Sequence, residues 1–190
     1  VDAALYWLVR MLASGEDPLY VARRLVRFAS EDVGLADPQA LALALQAKEA
    51  YDFLGSPEGE LALAEAVVYL AAAPKSNRIY TAYGAVRREI ERSPHEPVPL
   101  QIRNAVTALM KDIGYGRDYR YAHDSALATT DMETMPERLR GRRFYEPGRL
   151  GFEKEVRKRI DWWEGLKARL RDGKTEAPAG EEKGKEGGKT

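Results

Sequence analysis

The chain has 190 residues, 44% of them hydrophobic, enough to form one packed domain or two small ones. Lysine plus arginine and aspartate plus glutamate number 30 each, so the net charge is zero and no overall field attracts nucleic acid. Cysteine is absent, and no apolar run approaches the roughly 20 residues that cross a bilayer. The composition excludes disulfides and thiolate metal sites and predicts a cytoplasmic protein that binds partners through local patches.

Apolar residues recur at helical spacing through the first half of the chain and predict five consecutive helices. Asp2 is the predicted N-cap of the first helix, and Asp17 with Pro18 begins the second. The third helix is rich in alanine and leucine, so we expect it to be mostly buried. The fifth places Ile79, Tyr83 and other apolar residues along one face. The predicted spans are 2–14, 18–34, 38–54, 57–73 and 75–92.

The second half of the chain is less regular. Three prolines within 93–99 predict an extended joint and mark a possible subdivision of the domain. Helices are expected at 100–113 and 151–170, separated by a loop in which tyrosines alternate with arginines and by a stretch with little pattern. The tail 173–190 has no large apolar side chain, so we expect it to be disordered. The prediction is therefore an all-α domain over 1–172 followed by a charged tail.

A search for catalytic or metal-binding constellations identifies no site. His95 and His123 have no second histidine or acidic pair at ligand spacing. His123 and Asp124 could orient a base, but no motif places a nucleophile, and a locally bonded loop histidine explains them as well. The Gly-Lys-Thr at 173–175 lacks the upstream glycine and strand of a phosphate-binding loop. No catalytic, cofactor-binding or metal-ligating residue is predicted.

Two basic features could bind DNA. The second helix carries three arginines opposite its apolar face, and a basic stretch begins near Arg138. These guanidinium groups could neutralise phosphates, or they could form a solvated face paired with Glu31 and Asp32. The Tyr/Arg loop could stack on unpaired bases, or its tyrosines could pack beneath the loop while its arginines pair with acids. The candidate DNA-binding residues are Arg23, Arg24, Arg27, Arg117, Arg120, Arg142 and Arg143.

Five long stretches in a fixed order give the chain a family resemblance. It resembles the C-terminal region of the RarA/MgsA family of AAA+ ATPases, the bacterial replication-associated recombination proteins, whose eukaryotic relative is the Werner helicase-interacting protein. The resemblance covers about residues 2–153. The stretches that carry it are DAALYWLVRML, DPLYVARRLVRFASEDVGLADP, YDFLGSPEGELALAEAVVYLAAAPKSNRIYTAY, VPLQIRNAVTALMKDIGYGRDYRYAHD and LRGRRFYEPGRLGFE.

The resemblance implies a helical collar like that of clamp loaders, which holds ATPase modules together as a homotetramer. ATP and Mg²⁺ would belong to an ATPase core, whose GxxxxGK[ST] motif this chain lacks, so no catalysis is expected here. DNA at stalled forks would be bound by the whole, nucleoid-associated protein, with single-stranded DNA-binding protein as a further candidate partner. A direct DNA-binding module is the alternative.

The resemblance also points to particular parts of the chain. Lys75, Ser76 and Asn77 match the family pattern at the junction between the fourth and fifth helices. The candidate faces for subunit contacts are the apolar helices at 38–54 and 57–73 together with this junction. An obligate interface of this kind is expected to be large and hydrophobic.

Overall fold

The computed structural model describes residues 1–93, 95–121 and 129–172. Within those residues the regular secondary structure is helical throughout, with no strand, which confirms the predicted all-α class. No helix among them is long and apolar enough to cross a membrane. The predicted disordered tail lies outside the described residues. The α-helices are α1 (Asp2–Ala13), α2 (Pro18–Phe28), α3 (Gln39–Leu54), α4 (Glu60–Ala72), α5 (Arg78–Arg92), α6 (Ala108–Ile113) and α7 (Glu153–Arg171).

The start of α2 follows the predicted capping. The backbone N–H of Leu19 donates to Asp17 Oδ1 over 3.0 Å, and Pro18 occupies the first turn. The helix then continues as a π-helical turn (Ala29–Val33) and a 3₁₀ turn (Gly34–Ala36). The predicted cap of α1 is wrong, because Val1 is the N-cap and Asp2 lies in the first turn.

Helices α2, α3 and α4 pack on one another, and α1 packs on α4. Small side chains of α3 face this interior, namely Ala40, Ala44 and Ala47, which we call the alanine seam. The expectation that α3 is mostly buried is wrong for its leucines: Leu41 and Leu45 are 40% and 45% exposed. Alanines spaced four and three residues apart bring the helix backbones close together, and the larger side chains are left on the outside.

Two predicted helix starts are also wrong. The fourth helix begins at Glu60 rather than Pro57, because the preceding residues form a tight turn in which Gly59 N–H donates to Gly55 O over 2.6 Å. The fifth begins at Arg78, because Lys75 and Ser76 are engaged elsewhere. Its predicted apolar face is exposed as well. Tyr83 is 66% accessible, whereas Ala82 and Glu89 are the buried residues of α5.

The chain divides into two compact units. Unit 1 consists of Val1–Glu96 and Gly141–Ile160, and unit 2 of Pro97–Arg140 and the chain from Asp161. Unit 1 holds α1 to α5 and therefore the helical core described above.

In unit 2, the predicted helix over 100–113 is mostly wrong. A single 3₁₀ turn (Leu100–Ile102) is followed by α6, which is six residues long and capped by Thr107 Oγ1. The Arg103 guanidinium donates to Val98 O over 2.6 Å and lies over the Tyr115 ring, so it holds the chain in a non-helical path. The described part of the Tyr/Arg loop contains turns and no strand.

Candidate functional site

Lys75, the first residue of the family-motif junction, ends α4. Its Nζ donates to the carbonyl oxygens of Leu70 and Ala73 over 2.6 and 2.5 Å, and lies 5.5 Å from the centre of the Phe28 ring. These carbonyls belong to the last turn of the helix and have no partner within it. The positive charge of Lys75 also interacts favourably with the negative C-terminal end of the helix dipole. The role of Lys75 in the structure is therefore to cap α4.

Ser76, the second residue, connects three distant parts of unit 1. Its backbone N–H donates to Asp32 O over 2.7 Å, and its hydroxyl donates to Glu153 Oε2 over 2.7 Å. The same oxygen accepts the backbone N–H of Gly148 over 2.7 Å, and Glu153 Oε1 accepts the hydroxyl of Tyr145 over 3.0 Å. We call Ser76, Tyr145, Gly148 and Glu153 the polar hub.

The carboxylate at the centre of the polar hub is fully buried, since Glu153 has 0% exposure. A buried carboxylate is tolerated only where donors compensate its lost hydration, and three donors do so here. Burial, and then the hydrogen bond to Glu153, raise the pKa of Tyr145 to about 12. Arg157 donates to the carbonyl oxygen of Pro147 and closes the segment from the other side.

Asn77, the third residue of the junction, is the N-cap of α5 but makes no capping bond with its side chain. Its carbonyl oxygen accepts from the N–H and hydroxyl of Thr81 over 3.0 and 3.1 Å. A polar cavity of about 840 Å³ opens beside the junction, lined by Arg78, Arg149, Glu146 and other residues of both charges. This mixture selects neither anions nor cations, so we assign the junction a structural role.

The three predicted arginines of α2 are exposed in unit 1. Arg27 Nε donates to Glu31 Oε2 over 2.7 Å, and this hydrogen bond lowers the pKa of the Glu31 carboxyl. Of the two predicted roles, phosphate binding or pairing with nearby acids, Arg27 therefore has the second in the structure. Arg23 and Arg24 form no ion pair with any residue of the described ranges. Their predicted contact with DNA stays a prediction.

The other predicted arginines are divided between the units. Arg142 pairs with Glu89 over 3.2 Å in unit 1, and that carboxylate is only 6% exposed, so the pair ties the 141–153 segment to α5. Arg143 is exposed in the same unit. In unit 2, Arg120 pairs with Asp131 over 2.5 Å, and Arg117 lies beside Gly114. Arg27, Arg120 and Arg142 thus have carboxylate partners among the described residues.

The described residues contain no group of three or more histidine and acidic side chains that could hold a metal ion. His95 lies in unit 1, within the proline-rich joint. His123 and Asp124, the pair that could orient a base, fall outside the described residues.

Sequence reasoning missed two features. Glu153 stands among basic residues of α7, and no pattern marks it as the centre of a buried network. Phe53 and Leu61 are 89% and 75% exposed at one end of the α3–α4 hairpin, although both lie in segments with an apolar pattern. Periodicity identifies apolar residues but does not distinguish those that meet the core from those that meet solvent.

Comparison with known proteins identifies the family to which this chain belongs. The model of the MgsA AAA+ ATPase C-terminal family matches residues 1–164. The chain belongs to this family. It is 52% identical over 166 residues to replication-associated recombination protein A of Coxiella burnetii, and 48% identical over 162 residues to the protein of that name from Escherichia coli K12. It is 46% identical over 147 residues to ATPase WRNIP1 of Dictyostelium discoideum. The resemblance seen in the sequence is therefore confirmed.

These matches cover 87%, 85% and 76% of this chain, but only 38%, 36% and 17% of the respective relatives. The family is defined as the C-terminal part of an AAA+ ATPase. This chain therefore corresponds to a C-terminal domain, and the activity of the whole relatives is a separate question.

Proposed function

We propose that this domain is the oligomerisation collar of a RarA/MgsA-like AAA+ ATPase that acts in DNA replication, recombination and repair at stalled forks. ATP hydrolysis and its Mg²⁺ would belong to a region outside the aligned part of the relatives. The names of the relatives, which include replication-associated recombination protein A and an ATPase, support this setting. Catalysis within this chain is not part of the proposal.

One observation supports the collar function above all. In the α3–α4 hairpin, α3 places alanines inward and leucines outward, with Leu41 and Leu45 40% and 45% exposed, and Leu61 at the start of α4 is 75% exposed. These exposed leucine and phenylalanine side chains do not stabilise an isolated monomer, because apolar side chains contribute stability only when they are buried. Contiguous exposed apolar surface of this kind marks sites of association.

The dimensions of the helices suit such an interface. Leu41 and Leu45 lie one turn apart on the outward side of α3, a helix of 16 residues that is about 24 Å long. Stable interfaces between subunits bury about 800 Å² on each partner and are more apolar when they are obligate. The tetramer implied by the family resemblance would bury these side chains.

The test is the solution mass of the full chain by light scattering over a dilution series, at low salt and at about 1 M NaCl. We expect about four times the monomer mass, persisting at high salt because apolar contacts are not screened. A mass equal to one chain at every concentration would remove the collar function.

Direct DNA binding is a second candidate, because Arg23, Arg24 and Arg117 are exposed and form no ion pair with described residues. Fluorescence anisotropy with a labelled single strand would show micromolar affinity that falls steeply with salt. Arg23→Glu should weaken binding, whereas Glu16→Gln, a change at an exposed acid, should not. Binding that does not respond to Arg23→Glu would exclude the α2 face.

A further inference from the structure

An apolar groove of about 600 Å³ lies between α1 and α2 in unit 1, with α4 as its floor. Both helices pack on α4, and Leu8 and Val21 join the core at the base of the groove. Trp7 and Met11 of α1 form one wall, and Tyr20 and Phe28 of α2 form the other. We call this feature the docking groove.

The walls of the docking groove resemble the centre of a protein interface. Trp7 is 60% exposed, Tyr20 43% and Met11 36%, although neighbouring residues of the same helices are buried. Tryptophan and tyrosine are the residues most enriched among those that dominate binding energy, and methionine adapts its shape to a partner. The volume is sufficient for several side chains of a partner.

The charge of the docking groove is positive. Arg24 is the charged residue among those that line it, and Arg10 lines a smaller cavity that shares Trp7 and Met11. Glu16 also lines that smaller cavity. Neither arginine forms an ion pair with a residue in the described ranges. A complementary partner would therefore bring apolar side chains accompanied by carboxylates.

The same chain carries such a surface at the turn between α3 and α4. Phe53 and Leu61 project there with 89% and 75% exposure. The turn is tight, because Gly55 accepts the backbone N–H of Gly59 over 2.6 Å, and a Cβ on Gly59 would lie 2.9 Å from Tyr51 Cα. Only glycine fits at residue 59, so the turn holds the two side chains in a fixed arrangement. We call this end of the hairpin the hairpin tip.

The hairpin tip has the opposite charge to the docking groove. Glu58 lies within the turn, Glu65 follows Leu61 by one helical turn, and both are exposed. Neither carboxylate forms an ion pair with a described residue. Apolar side chains beside Glu58 and Glu65 at one end of the hairpin thus match an apolar groove beside Arg24 and Arg10.

We propose that the docking groove of one copy receives the hairpin tip of the next copy. The proposal rests on the collar function and specifies its interface as heterologous, with two different surfaces in contact. Interfaces of this type form closed rings when the rotation between subunits permits, and the tetramer implied by the family resemblance would be such a ring.

The first experiment measures the mass of the full chain and of two variants by light scattering. Trp7→Glu places a charge in the docking groove, and Phe53→Glu places one on the hairpin tip. Each variant alone should be a monomer, because each retains only one half of the interface. Tyr83→Glu changes an equally exposed aromatic residue on α5 and should leave the mass unchanged. Circular dichroism and thermal unfolding would show that all three variants remain folded.

The second experiment mixes the two variants. The intact hairpin tip of the Trp7→Glu chain can enter the intact groove of the Phe53→Glu chain, so the mixture should form a 1:1 dimer and nothing larger. An interface of groove against groove or of tip against tip would not give this result, because every contact in the mixture would then include a substituted surface. A mixture that stays monomeric, or a variant that keeps the wild-type mass, would overturn the heterologous interface.

Reversal of the charges on the two surfaces provides a third test of the interface. Arg24→Glu should raise the dissociation constant at least about tenfold, and the change of Glu58 and Glu65 to arginine in the same chain should restore association. If the chain that carries all three charge reversals still associates weakly, the proposed pairing of Arg24 with the acids of the hairpin tip is contradicted. If the wild-type chain is itself monomeric, the collar function fails together with this interface. A wild-type oligomer insensitive to groove and tip variants would overturn the interface alone.

Discussion

Unit 1 has two interiors of opposite chemistry. The alanine seam is apolar and packs against helices that are neighbours of α3 in the sequence. It depends on the close approach of the helix backbones. The polar hub is centred on one buried carboxylate and joins residues 77 positions apart, Ser76 and Glu153. Loss of one apolar contact in the alanine seam removes only the energy of that contact. Loss of the Glu153 carboxylate from the polar hub instead leaves several donors without an acceptor. The two interiors should therefore respond differently to substitution.

The largest effect is expected at the centre of the polar hub. Glu153→Ala removes the acceptor of a buried N–H and of two half-buried hydroxyls and should lower the free energy of unfolding by about 3–5 kcal/mol. Chemical denaturation monitored by circular dichroism measures the change. Glu155→Gln is the control, because that exposed residue forms a surface ion pair with Lys158 and should change stability by less than about 0.5 kcal/mol. Equal effects of the two substitutions would mean that the hub contributes little.

The chain segment that brings Glu153 into the polar hub provides the next test. Gly151 has φ of +54°, a Cβ there would overlap Ala36 O, and the adjacent Phe152 N–H donates to that same oxygen over 2.8 Å. Gly151→Ala should lower stability by about 3 kcal/mol. Gly165→Ala, in the middle of α7 with no atom near its Cβ, should instead raise stability by about 0.5–1 kcal/mol. Thermal unfolding of both variants should show shifts of opposite sign.

The alanine seam should respond to added volume. Ala44 is 1% exposed, so Ala44→Leu should cost about 1–3 kcal/mol through overpacking. Ala42→Leu adds the same volume to an exposed position of the same helix and should stay within about 0.5 kcal/mol of the wild type. Urea titration of the pair measures the difference. An unchanged midpoint for Ala44→Leu would show that the seam is loosely packed.

The smallest effect is a pH dependence of the polar hub. The pKa of Tyr145 is raised to about 12 from its ordinary value of 10, so the hub stabilises the fold while this phenol is protonated. That contribution is complete below pH 10 and is lost as the pH rises towards 12. Tyr145→Phe should remove about 1 kcal/mol of alkaline pH dependence. Parallel curves for the two proteins above pH 10 would contradict this assignment.

The sequence predicts helices well where local signals decide them. Asp17 and Pro18 determine the start of α2, and the five helices of the first half lie close to their predicted spans. Local signals fail where side chains bind backbone carbonyls or buried groups and so hold the chain out of a helix. Lys75 and Ser76 have helical surroundings in the sequence, yet their bonds to Leu70 O and Glu153 keep them out of α5. In unit 2, Arg103 has the same effect by bonding to Val98 O.

The site was harder to predict than the fold. The resemblance of five stretches identified the family, which the comparisons confirm. Sequence spacing already offered Glu31 as a partner for Arg27, four residues away, but it could not show that Arg120 and Arg142 pair with Asp131 and Glu89, since tertiary packing sets these two pairs. Hydrophobic periodicity also could not show that Leu41 faces outward while Ala44 faces inward, because both residues are apolar.

The discontinuity of unit 1 has a consequence for its synthesis on the ribosome. Helices α1 to α4 are complete when residue 72 has been made, and their contacts are local in sequence. Domains fold from the N-terminus as the chain emerges, at about 5–20 residues per second. The acceptor of Ser76 arrives only with residue 153, several seconds later by that rate. A nascent chain therefore exposes the hydroxyl of Ser76 to water throughout translation of residues 97–140, and the bundle must stay folded without the polar hub during that interval.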